Sequence, residues 1–129
     1  MIQEGLLYSK DHEWLRVDGG RGRLGITDYA QETLGSVVFI ELPEEGAEVE
    51  AGETIGVLES VKAASDYYAP VAGKVLAVNR TLENTPGLVN EDPFGDGWIL
   101  EMEIRDPSEL DKLLSAGDYA RLTNNADTE

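Results

Sequence analysis

Lys62 stands in the stretch Glu59-Ser60-Val61-Lys62-Ala63-Ala64-Ser65-Asp66, with one acid three residues before it and another four residues after. The stretch lies between two apolar runs, Ile55 to Leu58 and Tyr67 to Val71. An amine there has two covalent uses. As a nucleophile or Schiff-base former, a lysine needs a depressed pKa, from an apolar pocket or a cationic neighbour. Glu59 and Asp66 act the other way, because both favour the charged ammonium. As an attachment point, the amine needs only exposure on a tight turn with small neighbours, which Ala63, Ala64 and Ser65 provide. Acylation would then replace the charge with a long flexible arm. Against both stands a solvated turn lysine, the reading that these eight residues by themselves favour.

Other side chains offer less chemistry. His12 is the single histidine, and no serine or cysteine triad can be assembled around it, so it reads as structural or surface. There is no cysteine, hence no disulfide or thiolate metal site, and no calcium-loop spacing appears. With 10 basic residues against 26 acidic ones, the net charge is −16. Such a surface repels phosphate backbones and anionic lipid, which argues against nucleic acid and membrane partners and leaves basic protein surfaces as the attractive ones. No apolar run is long enough to span a bilayer, and the N-terminus lacks a basic segment followed by an apolar one. The expectation is a soluble protein of a bacterial cytoplasm, or of the mitochondrial matrix if it is a processed eukaryotic form.

The elements that must hold Lys62 are mostly short strands. The 129 residues suit one domain, with a core over about residues 8–122. Glu13 to Val17 and Arg23 to Ile26 flank a glycine-dense turn and predict a hairpin. Thr27 to Leu34 reads as a short helix, capped by Thr27 or Asp28 and closed by Gly35. Strands follow at Val37 to Leu42, Thr54 to Leu58, Asp66 to Val71 and Lys74 to Val78, with turns at Pro43 to Gly46, Glu50 to Glu53 and Ala72-Gly73. Trp98, Leu100, Met102 and Ile104 alternate with Ile99, Glu101, Glu103 and Arg105, a period of two that puts one face, Trp98 included, on the core. Gly35-Ser36-Val37-Val38 echoes Gly73-Lys74-Val75-Leu76, consistent with two β halves packed face to face. In Pro107 to Leu122, Ser108 and Asp111 resemble a capping box, and Leu110, Leu113 and Leu114 share a helical face, with Gly117 a candidate break. Asn124 to Glu129 is expected to fray.

Four separated motifs then change the weight on Lys62. "HEWLRV" at His12 to Val17, "GITDYAQETLGSVVFIELPEEG" at Gly25 to Gly46, "ESVKAASDYYAPVAGKVLAVN" at Glu59 to Asn79 and "PGLVNEDPFGDGW" at Pro86 to Trp98 resemble, in order, the glycine cleavage H-protein family. They cover most of the chain from Tyr8 to about Tyr119. Neighbouring carrier families fit less well: biotin carriers flank their lysine with methionine where Val61 and Ala63 stand, and lipoyl domains of 2-oxo acid dehydrogenases carry aspartate at the place of Val61. Tyr67 and Phe94 depart from the family's usual residues but keep apolar volume.

The resemblance implies an all-β barrel-sandwich hybrid, the lipoyl/biotinyl-type hammerhead, with short peripheral helices, a C-terminal helix and Lys62 at a hairpin tip. It implies a carrier without catalytic activity of its own, bearing lipoate as an amide on Lys62. A glycine decarboxylase (P protein) would load the arm with an aminomethyl group. An aminomethyltransferase (T protein) would pass its one-carbon unit on, and dihydrolipoamide dehydrogenase (L protein) would reoxidise the dithiol. A lipoate-attachment enzyme is a further partner, with Glu59 aiding its recognition of the turn. Shuttling among several enzymes favours a monomer. Glu13 is implied as a contact for the aminomethyl ammonium, with Asp66 a second candidate; the bland alternative is a solvated Glu13 carboxylate beside a core Trp14. A different role, an H-like relay that donates lipoyl or octanoyl groups to other lipoyl domains, fits the same motifs, and so does an unmodified β-rich interaction module.

Overall fold

The computed structural model describes residues 2–127. Nine strands form two sheets: β1 (Leu7–Tyr8), β2 (Glu13–Asp18), β3 (Arg21–Ile26), β4 (Val37–Ile40), β5 (Glu48–Val49), β6 (Thr54–Ser60), β7 (Ala64–Tyr68), β8 (Gly73–Val78) and β9 (Leu100–Ile104). Strands β1-β2-β3-β9-β8-β5 make a six-stranded sheet and β4-β6-β7 a three-stranded one. Every named pairing is antiparallel. Helices α1 (Asp28–Leu34), α2 (Thr81–Asn84), α3 (Leu88–Glu91) and α4 (Ala116–Asp127) lie at the periphery.

Local chemistry accounts for the joints. Gly19, at φ 63°, and Gly20 close the β2–β3 hairpin more tightly than the five-residue turn expected, because a left-handed turn costs glycine nothing. The Thr27 hydroxyl accepts from the Ala30 amide at 3.1 Å, capping α1, and Gly35 closes it at φ 89°. Gly73 is demanded by close approach, since a Cβ there would lie 2.1 Å from the Glu103 carbonyl oxygen.

The main core fills the space between the sheets with Leu15, Leu24, Val37, Ile40, Leu58, Val75 and Met102, among others. Tyr67 joins it at 1% exposure, but it is more than apolar volume: its hydroxyl donates to the Glu41 carbonyl at 2.7 Å. A smaller cluster of Leu6, Tyr8, Trp14, Phe94, Ala116 and Tyr119 anchors the N-terminal segment and α4 to β2.

Two expectations are corrected. The alternating face of β9 starts at Leu100, not Trp98: Ile99 is fully buried, while Trp98 is half-buried with the Arg23 guanidinium 4.6 Å from its ring. Residues 98–99 precede the pleat, and Ile99 donates to the Leu24 carbonyl, which turns its side chain inward. The segment after Pro107 is not one helix. Pro107–Lys112 is a 3-10 turn capped by Asp106, whose carboxylate accepts from the Ser108 amide at 3.1 Å; Ser108 and Asp111 form no capping box. Leu114 then exchanges backbone bonds with Tyr8 as a β-bridge, so the chain breaks ahead of α4 rather than at Gly117. The bridge satisfies polar groups of the short strand β1, a gain a continuous helix would forfeit. The backbone of α4 stays helical to Asp127, and the remainder of the expected frayed tail lies outside the described residues.

Candidate functional site

Strands β6 and β7 pair out to Glu59 and Ala64, and the turn they carry presents Lys62. Ser60 organises that turn. Its amide donates to the Ala63 carbonyl at 2.7 Å, and its hydroxyl oxygen accepts from the amides of Lys62 at 3.2 Å and Ala63 at 3.0 Å. The Val61 amide donates to the Ser36 carbonyl at 3.0 Å, which rests the tip on the segment after α1. A methyl group at Gly35 would come within 3.2 Å of Lys62 Cε, so the glycine that closes α1 also leaves room for the lysine stem. Lys62, Glu59 and Asp66 are all exposed, and neither acid pairs with the amine. The ammonium is therefore held in place from its backbone side while its charged end stays unpartnered.

Sequence reasoning missed the residue that braces this shelf. Asn90, in α3, donates to the Gly35 carbonyl at 2.8 Å and to Gln31 Oε1 at 3.0 Å, and its Oδ1 accepts from the Val37 amide at 2.8 Å. One side chain thus ties the end of α1 to the start of β4, on both sides of the Ser36 carbonyl that receives Val61. No local pattern marks an asparagine for this. The available hint was Pro86-Gly87 followed by Leu88 and Val89, a start signal and an apolar pair fit for one helical turn.

A groove of about 400 Å³ runs beside the lysine hairpin, lined by Asp11, His12, Tyr29, Ala63, Ala64 and Ser65, among others. His12 adopts φ 72°, in the left-handed region. Its ring stacks on Tyr29 at 4.7 Å, and its Nδ1 lies 2.7 Å from the Tyr119 hydroxyl, itself 2.7 Å from Thr27 Oγ1. Burial lowers the histidine below its ordinary pKa, with Asp11 opposing, and burial pushes Tyr119 up to about 12. His12 is structural, as expected, and one face of it also lines the groove.

Glu13 is not the solvated carboxylate of the bland expectation. It is 2% exposed, facing inward at the start of β2, and accepts from the Ser9 hydroxyl at 2.5 Å and the Tyr68 amide at 3.1 Å. Burial pushes its pKa from the ordinary 4.5 to about 7, against those two hydrogen bonds and with help from the Asp11 charge. Trp14 is fully buried, its indole donating to the Pro93 carbonyl at 2.9 Å, which is the core role expected. Glu13 lines a second groove with Ser9, Ala69 and Pro70, and Asp11 belongs to both linings. The fold therefore carries Glu59, Lys62 and Asp66 exposed on one hairpin, while Glu13 is buried behind it, bonded to Tyr68 at the far end of β7. Among the described residues, no group of three or more His, Cys, Asp or Glu side chains is arranged to hold a metal ion.

An exposed, unpaired amine at the tip of a hairpin on a two-sheet scaffold fits a carrier domain better than an enclosed catalytic centre. The family described as Glycine cleavage H-protein matches residues 6–126. A glycine cleavage system H protein of Carboxydothermus hydrogenoformans is 56% identical over 122 residues, covering 95% of this chain and 94% of that one. One of Thermus thermophilus is 55% identical over 118 residues, covering 92% of each. The crystal structure of a glycine cleavage system H protein from Mycobacterium marinum matches with a TM-score of 0.88 at 38% identity, covering 95% of this chain and 99% of that one. The chain belongs to the glycine cleavage H-protein family, with that family's barrel-sandwich fold, and its class is that of a lipoyl-carrier component, not itself a catalyst.

Proposed function

We propose that Lys62 is the lipoyl attachment site, and that the protein shuttles the aminomethyl group of glycine from the glycine decarboxylase to the aminomethyltransferase and electrons to dihydrolipoamide dehydrogenase. The observation that carries this reading is the unpaired Lys62 amine on a turn braced from behind by Ser60, Ser36 and Gly35. An amide on Nζ needs approach from solvent on a turn that holds its shape, and the exposed amine and the hydrogen-bonded turn backbone support that reading. When bound, lipoate would supply the disulfide and dithiol chemistry, while this cysteine-free chain adds no competing thiol. Tethering raises the effective concentration of the arm at each partner's active site. A monomer in a bacterial cytoplasm fits that traffic.

The groove beside Ala63, Ala64 and Ser65 suits a resting place for the loaded arm. Its Asp11 end adjoins Glu13, which accepts from Tyr68 on the same strand as Ser65. A cationic ammonium brought there would favour the ionised Glu13 carboxylate and offset the burial that now holds its proton. Asp66, on the exposed hairpin, is a weaker partner for the same charge, and Glu59 serves recognition of the turn.

Intact mass with peptide mapping, after exposure to lipoate, ATP and a lipoate ligase, tests the attachment. The expected result is one lipoyl group on Lys62. An unmodified Lys62 beside a fully modified control lipoyl domain in the same tube would sink the proposal. For Glu13, a Glu13→Gln variant is expected to lose its aminomethyl adduct sooner than wild type, and equal retention refutes the contact.

A further inference from the structure

Beside Lys62, the three-stranded sheet breaks the usual rule for a strand with one face in water. Alternation would expose every second residue of β4, yet Val38 is 54% and Phe39 49% exposed, one after the other. The cause is a β-bulge: the register steps from Val37↔Ser60 to Phe39↔Glu59, leaving Val38 as the extra residue. Val61, next to Lys62, is 74% exposed, and its backbone is bonded to Ser36 at the head of the same strand. Beyond Phe39, a shallow groove of about 320 Å³ runs between β4 and α2, floored by Leu42 and Leu82 and edged by Glu41 and Glu83. The result is an apolar strip beside the attachment turn, ending in a slot edged by Glu41 on one side and by Glu83, paired with Arg80 at 3.8 Å, on the other.

We infer that this strip and slot dock the enzyme that acylates Lys62, through an apolar surface on that enzyme carrying an arginine or lysine into the slot. The inference rests on Lys62 being the attachment residue. Reach selects this occupant among the partners. Enzymes served by the finished arm meet it at a distance set by the arm's length, so their contacts need not adjoin Lys62. The attachment enzyme works before any arm exists and must bring its activated acyl group to the bare Nζ, so it has to cover the surface immediately around the turn. The charge pattern agrees: a long basic side chain can lay its stem on Phe39 and Leu42 and bring its head to Glu41, with Glu83, which Arg80 pairs at 3.8 Å, on the far side. Two adjacent exposed apolar residues carry a solubility cost, which a transient partner would offset.

The test compares two reactions of the full chain. The unlipoylated protein is titrated with a lipoate ligase, lipoate and ATP, and the product is followed by mass. The double variant Val38→Thr/Phe39→Thr puts strand-favouring β-branched side chains at both exposed positions, so its melting temperature should match wild type. Its kcat/KM for acylation is expected to fall about tenfold, mainly through KM, equivalent to about 1.4 kcal/mol. Glu41→Lys/Glu83→Lys should fall at least as far and lose the salt sensitivity expected of wild type. Once driven to full lipoylation, both variants should be loaded by a glycine decarboxylase at the wild-type rate. Acylation kinetics equal to wild type would overturn the inference, and so would an equal loss in decarboxylase loading, which would assign the surface to partners served by the arm. A concentration-dependent dimer abolished by the same substitutions would assign it to a second copy of this chain. If wild type itself is not acylated while a control lipoyl domain is, the attachment reading fails, and this surface with it.

Discussion

The lysine turn and the polar centre around Glu13 treat charge in opposite ways. At the turn, the charged group is exposed and unpaired, and hydrogen bonds fall on the backbone and on Ser60. At the centre, Glu13, Ser9, His12, Thr27 and Tyr119 bond to one another or to the backbone, and among the described residues no buried side-chain nitrogen or oxygen lacks a partner. A handle needs its reactive atom free and its stem fixed. A buried polar cluster needs every member satisfied, because an orphaned one costs its full desolvation. Polar side chains are therefore left free in one region and bonded in the other, and exposure with pairing, not residue type, tells the two apart.

The sharpest way to break that contrast is Lys62→Arg. Its guanidinium cannot form the lipoyl amide, so acylation measured by intact mass should vanish. Because nothing pairs with the lysine, the unfolding free energy from denaturant titration should move by less than about 0.5 kcal/mol. Unchanged support of the full cycle by this variant would show the site to be misassigned.

The converse experiment is Glu13→Gln, which should alter stability and leave acylation of Lys62 intact. In the fold Glu13 keeps its proton to about pH 7, whereas the unfolded chain releases it near 4.5. The native state binds the extra proton in that window, so this residue favours folding most below pH 4.5, and its contribution drains away as pH rises through 7, by about 3 kcal/mol in all. Urea titrations at pH 5 and pH 8 should show this slope in wild type and a flatter profile in the variant. Parallel profiles would mean the carboxyl is ionised throughout.

Asn90→Ala probes the link between the regions. It leaves the Val37 amide and the Gly35 carbonyl without their partner, at a cost of about 2 kcal/mol. Hydrogen exchange should quicken at the Val61 amide, whose acceptor is Ser36, and acylation should slow. The amides of β2, remote from this brace, should keep their protection. Smallest is Ser60→Ala, which removes the turn's hydroxyl at an exposed position for about 1 kcal/mol or less. It should loosen the amides of Lys62 and Ala63 alone.

Much of the scaffold was legible because it rests on short-range rules. The glycine hairpin, the Thr27 cap, the Gly35 stop and the period of two from Leu100 onward need only a few residues each. The errors fall where a distant segment competes. Leu114 reads as helical until Tyr8 offers it a β-bridge, and Trp98 reads as full core, whereas it packs half-buried against the smaller cluster with Arg23 over its ring. Lys62 stood out by its motif context, and the structure puts it on the exposed turn between β6 and β7. The bulge at Val38 was not, since it depends on the register of β4 against β6.

By itself, then, the sequence determined the family, the strand-rich class, a lysine set between two strands and a strongly acidic composition, since each is carried by local pattern, composition or charge. Only the tertiary structure decided that Glu13 is buried and holds its proton to about pH 7, that Asn90 braces the shelf beneath Lys62, and that Val38 and Phe39 both face water beside it. Burial, pairing and register are properties of segments brought together from far apart in the chain, and no window of neighbouring residues contains them.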